Sequence, residues 1–92
     1  MQEIQLDISI FEEKISLHRY LKEQLGLPFY YGANLDALYD ELSSFTEPTH
    51  ITLAYTTKPK GRMLSYTPRI LRTFGDAANE NYNIKLTVKA VD

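Results

Sequence analysis

Three segments of the chain alternate between apolar and polar residues, and this period limits the possible folds more than any other feature. The segments are EIQLDISI (residues 3–10), THITLAY (49–55) and NIKLTVKAV (83–91). A period of two residues is typical of a β-strand that buries one face. In the third segment Lys85 and Lys89 occupy the polar phase, where charge discourages pairing between sheet edges. We therefore predict three strands, each with one buried and one solvated face.

The segments between these strands carry apolar residues at helical spacing. They are residues 16–28, 34–45 and 67–81, and each places leucine, isoleucine or phenylalanine on a single stripe. Residues that favour helix boundaries flank these stripes. The predicted boundary residues are Ser16, Asn34 and Thr67 as N-caps, Pro68 at the first position of the third helix, and Gly26 with Pro28 at the end of the first.

The order of the elements is strand, helix, helix, strand, loop, helix, strand. Strands that are joined through helical crossovers lie parallel in a sheet. Because the strands alternate and are not continuously apolar, we expect the helices to cover mainly one face of the sheet. Residues 56–66 are the only long irregular segment. We predict an α/β fold, a three-stranded parallel sheet packed with three or four helices, in a single domain over residues 1–92.

Composition narrows the class of protein. The 92 residues include no cysteine, which excludes disulfides and thiolate zinc sites. The first residues show no basic leader followed by an apolar run, and no segment approaches the ~20 apolar residues that span a membrane. We therefore expect a cytoplasmic protein without membrane contact. The net charge of −2 is uneven, since residues 1–57 hold nine acids against three bases and residues 58–92 hold seven bases against three acids.

The sequence carries no motif of a known catalytic or metal site. There is no GxSxG, no phosphate-binding glycine loop and no HExxH, and His18 and His50 are isolated in sequence. Asp36 and Asp40 alone would supply too few ligands for a metal ion. We predict a protein that is not an enzyme, has no catalytic residues and uses no metal or other cofactor.

A basic region runs from residue 49 to residue 75 without an acidic side chain. Clusters of this kind can attract nucleic-acid phosphates. No RNA-binding motif is legible and most of the chain is acidic, so a solvated basic loop is the favoured interpretation and no direct nucleic-acid contact is predicted. A nucleic-acid-binding domain stays open as an alternative that would use Lys58, Lys60, Arg62, Arg69 and Arg72.

The stretch YYGANLDALYD, residues 30–40, combines aromatic rings with clustered acids. Asp36, Tyr39, Asp40 and Ser43 fall together on a helical wheel, away from the leucine stripe. No lysine or arginine lies between residues 22 and 58, so the sequence predicts that this negative charge is uncompensated. Gly32 is expected to supply a positive φ in the preceding turn. A helix face with an aromatic ring, two carboxylates and a hydroxyl is suited to binding a cationic partner.

The stretch LGLPFYYGANLDALYDELSSF, residues 25–45, resembles the signature of the barstar family, roughly L-x-L-P-x-Y-Y-G-x-N-L-D-A-L-x-D-x-L. Members of that family are intracellular inhibitors of secreted guanyl-preferring ribonucleases. The resemblance implies that the second helix and the loop before it enter the ribonuclease active site. It implies that Asp40 occupies the substrate phosphate site, that Asp36 meets the same basic cleft, and that Tyr30 packs near the catalytic histidine. Asp76, on the last helix, would add a further carboxylate.

The sequence departs from the family pattern at several positions. A family tryptophan is Tyr39 here, another aromatic position is Phe45, and Ala33 replaces a glutamate. The paired family cysteines are absent, and Glu41 stands at one of their places. Asp76 is shorter by one methylene than the usual carboxylate at its position.

The resulting hypothesis is a one-to-one inhibitor of a barnase-type ribonuclease, monomeric when free, which presents an acidic helix as a phosphate mimic. The alternative is a barstar-like module that binds a different basic protein. The predicted partner-binding residues are Tyr30, Tyr31, Gly32, Asn34, Asp36, Tyr39, Asp40, Ser43, Phe45 and Asp76.

Overall fold

The computed structural model describes residues 1–92 as three strands and three helices. The elements in chain order are β1 (Gln2–Asp7), α1 (Lys14–Leu25), α2 (Leu35–Ser43), β2 (Thr49–Tyr55), α3 (Met63–Glu80) and β3 (Ile84–Ala90). The strands form one parallel sheet in the order β1-β2-β3. Gln2 pairs with Thr49 and Thr49 with Ile84, so the three strands start level. The predicted α/β fold is confirmed, with three helices.

The core lies between one face of the sheet and the helices. Alternate residues of β1 are buried, as the period-two pattern predicts. They pack with the inward residues of β2 and with the leucine stripes of α1 and α2. On the opposite face, His50 joins neighbouring strands through Glu3 Oε1 at 2.9 Å and Thr87 Oγ1 at 2.8 Å. The buried apolar core comprises Ile4, Leu6, Ile8, Leu17, Leu21, Leu25, Leu27, Leu38, Leu42, Ile51, Leu53, Met63, Tyr66, Ile70, Phe74, Ala77 and Ile84.

The alternating sequence pattern is longer than the strands observed in the structure. β1 ends at Asp7, and although Ile8 is buried, the side chain of Ile10 is 72 % exposed. The Asp7 carboxylate accepts hydrogen bonds from the backbone N–H and hydroxyl of Ser9, which turns the chain at this point. At the end of β3, Val88 is 44 % exposed. Burial therefore follows the predicted phase only where the helices cover the sheet.

The predicted boundaries of two helices are wrong. α1 begins at Lys14, before Ser16, whose hydroxyl donates to the Glu13 carbonyl and caps no N–H group. Gly26 ends α1 as predicted, with φ 65°. α3 begins at Met63, one turn before Thr67, so Pro68 lies inside the helix. Met63 and Tyr66 are almost fully buried, and their packing favours the earlier start.

None of the helices combines the length and the hydropathy that a transmembrane span requires.

Candidate functional site

The loop between α1 and α2 presents two aromatic rings to solvent. Leu27 is buried and anchors the loop, and the Tyr31 N–H donates to the Pro28 carbonyl at 3.0 Å, which closes a tight turn. At its tip Phe29 is 88 % exposed and Tyr30 is 71 % exposed, with an edge-to-face contact at 5.5 Å between their centroids. Rings this exposed are typical of a surface that is covered by a partner.

A buried histidine holds the end of this loop. His18 Nδ1 lies 2.7 Å from the Tyr31 hydroxyl, and His18 Nε2 lies 2.7 Å from the Tyr66 hydroxyl. In a neutral imidazole one ring nitrogen donates and the other accepts, so both bonds can form at once. Burial and the nearby positive charge of Lys14 lower the pKa of His18, and burial raises the pKa of Tyr31. Tyr31 is thus a half-buried anchor that joins the loop to α1 and α3.

The start of α2 is fixed by local hydrogen bonds. Asn34 is the N-cap as predicted, and its Oδ1 accepts from the Ala37 N–H at 2.8 Å. Its Nδ2 donates to the Gly32 carbonyl at 3.3 Å. The positive φ expected at Gly32 occurs instead at Ala33, where φ is 54°. Gly32 is a close-packed position, because an added Cβ would lie 3.3 Å from the Ala37 Cβ.

The two acids of α2 lie on its solvent-facing side. Asp36 and Asp40 are both exposed, and neither takes part in an ion pair within 4.0 Å. Ser43 is exposed on the same face, while Tyr39 is half-buried and packs against the core. Asp36 lies in the first turn, where the helix dipole favours a negative charge. Asp40 lies beyond that turn and gains less from the dipole.

The end of α2 is held by an asparagine that follows α3. Asn81 is 8 % exposed, and its Nδ2 donates to the carbonyls of Leu42 and Phe45, each at 3.0 Å. Asn83 Nδ2 also donates to the Phe45 carbonyl, at 3.2 Å. The Phe45 ring is half-buried against the core. Phe45 therefore holds the segment after α2 in position, and its side chain is only partly available to a partner.

Helices α2 and α3 pack side by side and run in the same direction. Leu35 and Asp36 share a groove with Arg69 and Arg72, whereas Leu42 meets Asn81. Asp40 lies one turn after Asp36, and Asp76 lies one turn after Arg72. Asp40 and Asp76 are both exposed. Helical spacing puts Asp76 on the same side of α3 as Arg69 and Arg72, which line the groove next to α2.

The negative charge near Asp36 is not isolated, which corrects the expectation drawn from the sequence. Asp36 lines two grooves, one of about 290 Å³ shared with Lys14 and Arg69, and one of about 380 Å³ shared with Arg69 and Arg72. These cations are distant in sequence, but α1 and α3 bring them to the start of α2. The surface is thus acidic along α2 and basic at the N-terminal half of α3.

Several residues of this surface escaped prediction. Phe29 could have been inferred from its place beside Tyr30 in a loop. The structural roles of His18 and Asn81 depend on contacts 13 to 48 residues away in sequence, so no local signal indicates them. No group of three or more histidine, cysteine, aspartate or glutamate side chains converges as metal ligands would. The arrangement can offer carboxylates, hydroxyls and aromatic rings to a partner.

Comparison with known proteins assigns the chain to a family. The family model described as Barstar (barnase inhibitor) matches residues 1–90. The chain belongs to the barstar family. One relative, from Bacillus subtilis (strain 168), bears the name "Putative ribonuclease inhibitor YrdF". It is 35% identical over 81 residues, which cover 87% of this chain and 89% of that protein. The barstar signature in residues 25–45 forms the loop before α2 and α2 itself.

Proposed function

We propose that this barstar-family protein acts in the cytoplasm as a one-to-one inhibitor of a guanyl-preferring, barnase-type ribonuclease. It would perform no chemistry. Asp40 and Asp36 would occupy the enzyme's phosphate sites, and Asp76 would add a third carboxylate. Tyr30 would pack on the rim of the active site. Tyr31, Gly32, Asn34 and Phe45 would chiefly hold this surface in shape, with Tyr39 and Ser43 completing its centre.

One observation carries the proposal. Asp36 and Asp40 are exposed on one helix face, and neither forms an ion pair within the protein. Like charges one turn apart destabilise a helix by a few tenths of a kcal/mol. A partner that binds RNA phosphates with lysine and arginine would convert this repulsion into charge-assisted hydrogen bonds.

The rigidity of the surface supports the same function. The loop is anchored through Tyr31 to His18, and α2 is capped by Asn34 and held at its other end by Asn81. A surface that is already ordered loses little conformational entropy on binding. This arrangement suits an inhibitor better than a segment that must fold on its target.

The alternative of an RNA-binding protein is less well supported. Arg69 and Arg72 belong to the basic region, yet both line a groove with Asp36. A carboxylate within a phosphate-binding surface would repel the nucleic acid. A different basic protein as the target is the stronger alternative, because it would use the same acidic surface.

The test is a titration of barnase-type ribonucleases with the purified protein, recording residual RNA cleavage. We expect stoichiometric inhibition. Asp40→Asn should weaken inhibition at least about 30-fold, which corresponds to a loss of about 2 kcal/mol in charge-assisted hydrogen bonds. Glu3→Gln is the control, since it also neutralises one exposed carboxylate but lies on the opposite face of the sheet, where the amide oxygen can still accept the hydrogen bond from His50.

Two outcomes would contradict the proposal. If Asp40→Asn inhibits as strongly as the wild type, the acidic helix is not the contact. If the folded wild type inhibits no ribonuclease of the panel, the target is another protein, and capture with the whole protein as bait, compared with the Asp40→Asn variant, would identify its class.

A further inference from the structure

A groove with two cations borders the acidic surface. It has a volume of about 290 Å³, and its walls include Lys14 from α1, Arg69 from α3 and the first turn of α2. Both cations lie over the ring of Tyr66. The groove shares Asn34 and Asp36 with the proposed inhibitory surface, so a protein that covers one must cover the edge of the other.

Tyr66 provides a fixed support for both cations. Its ring lies 4.6 Å from Lys14 Nζ and 5.6 Å from Arg69 Cζ. The residue is only 4 % exposed, and its hydroxyl is hydrogen-bonded to His18 Nε2 at 2.7 Å. Contacts of this kind between cation and ring hold a long side chain in place. Less rotamer entropy is then lost when a ligand binds to these cations.

Neither cation has an anionic partner within the protein. No carboxylate oxygen lies within 4.0 Å of Lys14 or Arg69, although Asp36 lines the same groove. A guanidinium carries five N–H donors and binds a carboxylate through two parallel hydrogen bonds. Arg69 is therefore free to accept an external anion while Asp36 remains free to accept an external cation.

The geometry points to a carboxylate of the ribonuclease itself as the occupant; this inference rests on the proposed function. An arginine or lysine of the enzyme that meets Asp36 would also approach Arg69. An aspartate or glutamate beside that enzyme cation would pair with Arg69 and Lys14 and remove the repulsion. A ribonuclease without such an acid would meet an unpaired positive charge at this edge. Lys14 and Arg69 would thus select among basic ribonucleases.

A phosphate chain is a poorer occupant of this groove. Successive phosphates would pass the carboxylates of Asp36 and Asp40, which lie along the adjoining helix. A single carboxylate with a cation beside it matches the alternation of charge on this surface.

The experiment measures the affinity of Arg69→Gln and Lys14→Gln for the barnase-type ribonuclease that the wild type inhibits most tightly. We expect Arg69→Gln to weaken binding about tenfold, as for one lost charge-assisted hydrogen bond. Lys85→Gln is the matched control, because it removes the same charge from the exposed side of β3, and it should change affinity less than twofold. Circular dichroism and thermal unfolding establish that each variant is folded.

A second measurement tests the identity of the occupant. Surface aspartates and glutamates of the ribonuclease are replaced one at a time by their amides, and each variant is titrated with wild-type and Arg69→Gln inhibitor. At least one replacement should remove the effect of Arg69→Gln, since the two changes delete the same pair. If every pair is additive, the groove does not bind a carboxylate of the enzyme.

The outcomes separate this inference from the proposed function. If Asp40→Asn abolishes inhibition while Arg69→Gln leaves affinity unchanged or raises it, the proposed function stands and this inference is wrong. If the wild type inhibits no ribonuclease of the panel, both are wrong. If fluorescently labelled RNA binds the wild type at physiological salt and Arg69→Gln releases it, the groove is a phosphate site and the inference is overturned.

Discussion

Replacing Asn81 by alanine should destabilise the protein markedly, because its side chain links two helices through several hydrogen bonds. The side chain is nearly buried and joins α3 to the end of α2. Its Nδ2 donates to the Leu42 and Phe45 carbonyls at 3.0 Å and approaches the Ser43 carbonyl at 3.4 Å, and its Oδ1 accepts from the Asn83 N–H at 3.0 Å. Alanine removes all of these bonds.

The expected loss follows from counting the bonds with good geometry. Three of them, at about 1 kcal/mol each, would give a loss of about 3 kcal/mol. Two acceptors keep other donors, because the Phe45 N–H approaches the Leu42 carbonyl at 3.3 Å and Asn83 Nδ2 stays 3.2 Å from the Phe45 carbonyl. We therefore expect a loss of about 2–3 kcal/mol, or roughly 15 °C in the midpoint of thermal unfolding for a chain of this size.

Urea denaturation followed by circular dichroism measures this free energy of unfolding. Asn79→Ala is the matched control, since it makes the same substitution at an exposed position of α3 and should change stability by less than about 0.5 kcal/mol. If Asn81→Ala lies within 1 kcal/mol of the control, water replaces these bonds without loss and the reasoning is refuted.

Asn81→Asp gives an independent test of the hydrogen bonds that Asn81 donates, because aspartate has nearly the same shape as asparagine. A carboxylate would face carbonyl oxygens and could donate no hydrogen bond to them. This environment favours the protonated form and raises the pKa of the new carboxyl above its ordinary value. The variant should therefore be least stable at neutral pH and should recover relative to the wild type as the pH falls. A deficit that does not depend on pH would contradict the proposed contacts.

Three further changes test other parts of the fold. Burial and Lys14 lower the pKa of His18 in the folded state, so as the pH falls the unfolded chain takes up a proton on this imidazole before the folded protein does. The free energy of unfolding should therefore be highest above pH 6.5 and should decrease below it by up to about 1.4 kcal/mol per pH unit. His18→Gln should remove this dependence on pH. Gly75→Ala should stabilise α3 by about 1 kcal/mol in urea denaturation, because beyond its chain neighbours and the adjacent backbone of α3 itself no atom lies within 4 Å of the added Cβ. Ala33→Gly should raise stability by about 0.5 kcal/mol on the same assay, because Ala33 has φ 54°.

Each of these changes has an outcome that would contradict it. The His18 argument fails if the wild type and His18→Gln lose stability equally between pH 6.5 and pH 5. A destabilised Gly75→Ala would indicate that α3 is bent at that position. A destabilised Ala33→Gly would mean that flexibility of the unfolded chain outweighs the strain of the left-handed backbone.

Local rules predicted the elements whose boundaries are set by neighbours in sequence. The alternation in β1 and β2, the leucine stripes of α1 and α2, the Asn34 cap and the Gly26 terminus depend on contacts within a few residues. Each is a local preference that agrees with the tertiary packing. The sequence signature in residues 25–45 predicted the family, which periodicity alone does not identify.

Tertiary contacts decided the features that the sequence did not predict. Proline is favoured at the first position of a helix, yet five residues of α3 precede Pro68. Burial of Met63 and Tyr66 stabilises the extra turn. The missing N–H of Pro68 would have bonded the carbonyl of Leu64, whose side chain is 68 % exposed, so water can satisfy that carbonyl.

The electrostatics of the site required the fold as well. The sequence has no lysine or arginine between residues 22 and 58, but the folded surface does have cations near Asp36, because α1 and α3 bring Lys14 and Arg69 to it. Asp40 does not line either of the grooves that hold these cations. The two aspartates of α2 therefore have different surroundings, which their equivalent positions on a helical wheel conceal.

The stability of α2 depends on its tertiary contacts more than on its own sequence. A helix of nine residues is unstable alone, and the repulsion between Asp36 and Asp40 weakens it further. Two buried leucines, the Asn34 cap and the bonds from Asn81 compensate. These contacts lie behind the helix or at its ends, so a partner that covers the acidic face would disturb none of them. The carboxylates can therefore remain exposed and close together in the free protein, held at the spacing in which they would bind.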